Sequence, residues 1–205
     1  MTTRIAVLVR CENSYNLIKL ENSYGNEFTK WGSNMTYQTE YTCACCGNVH
    51  HELPLSYGSP APALWFSLPP EERDERCLMN DELCVIDDEH FFVRGCIEIP
   101  VLESDETFIW NVWVSLSKEN FKRTFLYWEE EGRENELEPM FGWLSTSLSC
   151  YPGTTLHLKT HVHTRPVGVR PLIELEQTDH PLSIEQRNGI TRARVIEIAE
   201  ALCQG

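Results

Sequence analysis

Residues 107–117 constrain the fold more than any other stretch of the chain. Phe108, Trp110, Val112, Val114 and Leu116 recur at every second position. On a pleated strand that spacing puts all five side chains on one face. The intervening Ile109, Asn111, Trp113, Ser115 and Ser117 mix large apolar with small polar groups. One face is therefore buried and the other half polar, and the segment is predicted to be a central strand. Ser117 then caps a helix in which Phe121, Phe125 and Trp128 form an i, i+4, i+7 stripe facing that sheet.

Other elements follow from the same rules. Residues 83–87 and 91–101 read as strands joined by the turn Asp87-Asp88-Glu89-His90. Residues 154–163 and 170–177 read as a second pair, linked through Pro166 and Gly168. Pro69 and Pro70 open a short helix through Arg73. Thr191 caps an amphipathic helix whose Val195, Ile198, Ala199 and Leu202 face inward. The acidic stretch from Glu129 to Glu138 reads as a solvated loop. Strands come in runs and helices come singly, so the expected class is α+β, a mainly antiparallel sheet with a few packed helices. With 205 residues, one main domain is expected over 39–205. Residues 1–38 read as an N-terminal extension, a hairpin of Ile5–Val9 and Leu17–Leu20 packed on that domain.

Charge narrows the partners. The formal net charge is −14, from 17 basic and 31 acidic residues. A binder that tracks a phosphate backbone needs a basic face, which this composition does not supply. An anionic membrane surface repels such a chain, and no segment is long and apolar enough to span a bilayer. The expectation is no nucleic acid and no membrane, with a basic protein as the partner class that the charge favours. The apolar run Ile5–Val9 is too short for a signal-peptide core, so the nine cysteines are expected to be reduced in the cytoplasm.

Cys43-Ala-Cys45-Cys46-Gly47 is the sharpest chemical motif. Two thiolates three positions apart on a tight turn reach one ion, and the glycine permits left-handed backbone. Structural zinc takes four ligands and no second Cys-x-x-Cys is present. The remaining ligands have to come from isolated residues, with His50, His51, Cys77, Cys84 and Cys96 as candidates. Two structural thiols at a turn is the competing reading, and a redox pair a weaker one. His157, His161 and His163 form a second constellation, predicted to share one strand face with Lys159 and Arg165 beside them. That face reads as the polar side of a half-buried strand without metal. Arg94 and Arg170 each put a guanidinium at a strand start or bend, to recognise an anion or to pair with a carboxylate. No phosphate loop, dinucleotide fingerprint, nucleophile elbow or His-Glu-x-x-His motif is present. The reading therefore leans against an enzyme.

Several segments together resemble a bacterial family known only as domain of unknown function 2199, over about residues 40–200. They are the Cys43–Gly47 motif with His50 and Pro54, Leu83–Asp87, Phe91–Pro100, Trp110–Ser117, Tyr151–Thr154 and His180–Leu182. The resemblance implies that Cys43, Cys46 and Cys84 belong together and that His50 joins them, although Cys45 is an extra thiol inside the motif. It implies a small cytoplasmic bacterial protein and no particular activity. The expected metal set is thus Cys43, Cys46, His50 and Cys84, holding structural Zn2+ in a knuckle-like turn. Two classes of function remain. One is a non-catalytic binding or interaction module, of which an immunity-type protein neutralising a basic toxin is one version. The other is a metal-dependent enzyme of unknown substrate.

Overall fold

The computed structural model describes residues 40–44 and 47–203. The expected N-terminal hairpin lies outside these residues, as does Cys46. Element order is β1 (Tyr41–Thr42), β2 (Val49–His50), β3 (Ser56–Gly58), α1 (Ala63–Ser67), a 3-10 turn (Pro70–Glu72), α2 (Arg73–Arg76), β4 (Cys77–Met79), β5 (Leu83–Ile86), β6 (His90–Pro100), β7 (Thr107–Leu116), α3 (Lys118–Leu126), α4 (Arg133–Glu136), β8 (Met140–Leu144), β9 (Lys159–His163), β10 (Leu172–Leu175), α5 (Pro181–Asn188) and α6 (Arg192–Cys203).

The α+β class holds, but the sheet is not simply antiparallel. Strands β6 to β10 form a meander, each antiparallel to the next, and β10 returns to pair with β6. The result is a closed five-stranded barrel. In a closed meander of odd strand number the first and last strands point the same way, so one seam has to be parallel. That seam is β10–β6, registered at Leu172 opposite Cys96. The β4–β5 hairpin extends the sheet from β6, and β3 adds to β7 in parallel.

The strand over 107–117 is central, as its alternation predicts. It pairs with β6, β8 and β3, and Phe108, Trp110, Val112 and Val114 are fully buried inside the barrel. They meet Val93, Ile97, Leu144, Val162 and Ile173 from the other strands. Gly142 makes room there, since a Cβ at that position would stand 2.4 Å from Val114 Cγ1. Helix α3 closes one end, with Phe121 against Phe91 at a ring separation of 5.2 Å. Helices α5 and α6 supply Leu182, Val195, Ile198 and Ala199 to the same core. Trp113, on the outer face of β7, is also fully buried, in a second cluster with Leu68, Cys84, Ile86 and Phe92.

Three expectations need correction. Phe125 does not face the sheet: it is 51% exposed, and Thr124 is the buried residue of α3. The helix ends at Leu126, so Trp128 packs on the core from beyond it, and the inward face passes through Phe121 and Thr124. His157 does not share the face of His161 and His163. It precedes β9 with φ 65°, and its N–H donates to Leu144 O at 2.8 Å. The acidic stretch 129–138 is not wholly solvated. Arg133 within it is 3% exposed and donates to the carbonyls of Trp128, Arg165, Pro166 and Val169.

Candidate functional site

The parallel seam organises the surface chemistry. At its closed end Cys96 N donates to Pro171 O at 2.8 Å. Beyond that point β6 and β10 separate, and two inner backbone groups of β10 lose a strand partner. Gln186 of α5 supplies one to each: its Nε2 donates to Ile173 O at 2.7 Å, and its Oε1 accepts from Leu175 N at 2.8 Å. The gap is a groove of about 710 Å3, lined by Glu98 and Pro100 of β6, Leu172 and Glu174 of β10, and Gln186 and Arg187 of α5, with His161 and Glu176 at its side.

The outer face beside the groove is ordered by strand register. Phe141 stands opposite His161, and His161 opposite Glu174. Trp143 stands opposite Lys159, whose carbonyl accepts from Glu176 N at 2.9 Å. Aromatic, basic and acidic side chains thus form three adjacent columns. The basic column holds the acidic one in place. His163 Nε2 meets Glu174 at 2.7 Å, Lys159 meets Glu176 at 3.6 Å and His161 meets Glu176 at 3.9 Å. Glu98 is bound by Arg165 at 2.6 Å. Phe141 and Trp143 are each 40% exposed and stack edge-on at 5.1 Å. Exposed aromatics of this kind, rimmed by charge, are what protein interfaces use as anchors.

The expected zinc residues are not all brought together. Cys43 is buried in the β1–β2 hairpin, whose turn is closed by Gly47 N donating to Cys43 O at 2.8 Å with Gly47 at φ 70°. Ala44 N donates to Glu200 of α6 at 2.7 Å. Cys43, Cys150 and Cys203 all lie near enough to Tyr57 to raise its hydroxyl pKa, which burial raises most. His50 pairs with Tyr41 in register and stacks on its ring at 5.1 Å. Cys84 lies elsewhere, in the second cluster on the outer side of β5, where burial pushes its thiol up to about 12. A thiol held neutral in an apolar cluster is a poor metal ligand. Among the described residues no three His, Cys, Asp or Glu side chains converge to hold a metal ion.

Two residues singled out for their guanidinium groups lie within electrostatic reach of each other. Arg170 engages Glu82 through three contacts of 2.6–3.0 Å and donates to Asn111 Oδ1 at 2.8 Å. Arg94, on β6, feels its charge. His180 Nδ1 accepts from Leu182 N, capping α5, and Pro181 occupies the first helical turn.

Residues 42–190 match a family described as uncharacterized proteins conserved in bacteria, DUF2199. The chain belongs to this family. No curated protein and no solved structure matches it. The family match spans the closed barrel and the groove, along with the hairpin from Thr42 onward, but stops before α6. No helix among the described residues is long and apolar enough to cross a membrane.

Phe141, Trp143, Glu98 and Gln186 escaped the sequence reading. The segment Met140-Phe-Gly-Trp-Leu carries apolar side chains on both faces, so it shows no alternation of polarity to announce β8. Gln186 acts only through backbone groups separated from it by more than ten residues, and no local pattern encodes that.

Proposed function

We propose that this chain is a non-catalytic interaction module that docks a basic protein partner on the outer face of β8–β10 and in the adjoining groove. The exposed Phe141–Trp143 pair, standing beside the ordered Glu174 and Glu176, carries the reading. Aromatic anchors supply desolvated contact area, and the carboxylates supply complementarity to lysine and arginine. The chain's charge of −14 steers a cationic partner toward it. A basic toxin neutralised by such a face is one member of this partner class.

A structural zinc ion at the β1–β2 hairpin belongs to the same proposal. Buried Cys43, the left-handed Gly47 and the hairpin geometry fit a two-thiolate turn. When bound, the ion would tie that turn together, with Cys43 and Cys46 as the thiolates. The position of Cys84 argues against it as a further ligand.

Titration of the full chain with a short synthetic lysine- and arginine-rich peptide, followed by tryptophan fluorescence and calorimetry, tests the docking face. Saturable binding that weakens with salt and is lost in Phe141→Ser/Trp143→Ser supports it. Equal binding by that variant and the parent chain sinks it.

A further inference from the structure

Among the described residues two arginines are buried, and they are treated differently. Arg133, 3% exposed, gives its N–H groups to four backbone carbonyls. Arg94 is 7% exposed, and its guanidinium makes one hydrogen bond, from Nη1 to Asp81 O at 3.3 Å. Its Nε is buried and meets no acceptor. Buried charged groups are ordinarily hydrogen-bonded, so an orphaned guanidinium edge leaves room for an acceptor from outside the chain.

The surroundings fit that role. Asp81 and Glu82 lie within electrostatic reach, but among the described residues neither carboxylate is hydrogen-bonded to Arg94, and Arg170 takes Glu82. Gly58 of β3 lies against Nη2: a Cβ there would stand 3.2 Å from it. The Trp113 ring backs the group, with Cζ 5.8 Å from its centroid. The Nε–Nη2 edge is the side of the fork that grips two oxygens of one anion. A second guanidinium, Arg170, is held alongside by Asn111 and Glu82. Burial lowers the pKa of Arg94 and Arg170 lowers it further, the penalty that an incoming anion relieves.

We propose that Arg94, with Arg170 beside it, anchors an oxyanion site that takes the phosphate or carboxylate group of a small molecule. The site lies on the outer face of β6 near the closed end of the seam and is independent of the docking face on β8–β10.

Calorimetric titration of the full chain with inorganic phosphate and, separately, with acetate tests it, at an ionic strength held constant with chloride. Saturable one-site binding of at least one anion is expected. It should weaken about tenfold or more in Arg94→Lys, which keeps the charge and loses the fork. It should not change in Trp143→Ser. No saturable binding of either anion overturns the proposal, as does equal affinity in Arg94→Lys. Should Arg94→Lys fail to fold, the side-chain Nε–H resonances of the parent chain decide. The saturating anion has to shift Arg94 and leave Arg133 in place, and an unmoved Arg94 resonance overturns the site.

Discussion

Gly95 lies directly against Ile173 across the parallel seam. A Cβ on Gly95 would stand 2.5 Å from Ile173 Cδ1 and 2.8 Å from Pro171 O. The barrel closes there because β6 has no side chain at the contact. The side chain of Ile173 can turn away, but the Pro171 carbonyl is backbone and cannot. Gly95→Ala is therefore expected to cost about 1–3 kcal/mol, the usual penalty of overpacking a core. Urea denaturation measures it, and a change of less than about 0.5 kcal/mol would show that the seam tolerates a wider spacing.

Gln186 is expected to matter as much as many core residues, although it is only half-buried. Gln186→Ala leaves Ile173 O and Leu175 N without their partner. Each buried, unpaired backbone group costs about 1–3 kcal/mol. Amide hydrogen exchange reports the site directly: Leu175 N–H should exchange faster in the variant, while Val162 N–H inside the barrel should not.

Phe121 and Phe125 provide a matched pair on one helix. Phe121 packs on the core beside Phe91, whereas Phe125 is exposed. Phe121→Ala is expected to cost about 2–4 kcal/mol, somewhat less than a fully buried phenylalanine. Phe125→Ala should change stability by no more than about 0.5 kcal/mol. Equal losses at both positions would mean that the helix sits rotated from its described orientation.

Cys84 predicts an alkaline limit. Burial raises its thiol from 9.0 to about 12. The unfolded chain therefore gives up this proton first, and the folded chain keeps it. The stabilisation is fully present below about pH 9 and declines as pH rises from 9 toward 12. Cys84→Ala should flatten that part of the stability profile. In alkylation at neutral pH, exposed Cys203 should react before Cys84, which should react only after unfolding.

Metal content separates the cysteines by place. Chain purified with zinc and assayed by mass spectrometry should lose metal on Cys43→Ser and keep it on Cys84→Ser. Replacing His157, His161 and His163 together by glutamine should also leave metal unchanged. Loss of metal on Cys84→Ser would restore that residue to the ligand set and require the hairpin to reach the second cluster.

Local pattern alone determined the central strand, the β5–β6 hairpin with left-handed Asp87 and Asp88, the Ser117 cap and the inward face of α6. These follow from period and cap chemistry, which act over a few residues. Closure of the barrel did not, because a parallel seam joins Leu172 to Cys96, which lie far apart in the chain, and leaves no periodic trace. Register across three strands, set by tertiary pairing, put Phe141, His161 and Glu174 in one row. Tertiary packing likewise placed Cys84 in the second cluster with Ile86, Phe92 and Trp113, and Cys43 in the β1–β2 hairpin. Arg94 and Arg170 were visible in the sequence as anion-binders or ion-pair partners. Only the fold gave Glu82 to Arg170 and left Arg94 Nε without an acceptor, because which guanidinium reaches a carboxylate depends on packing at contact distance.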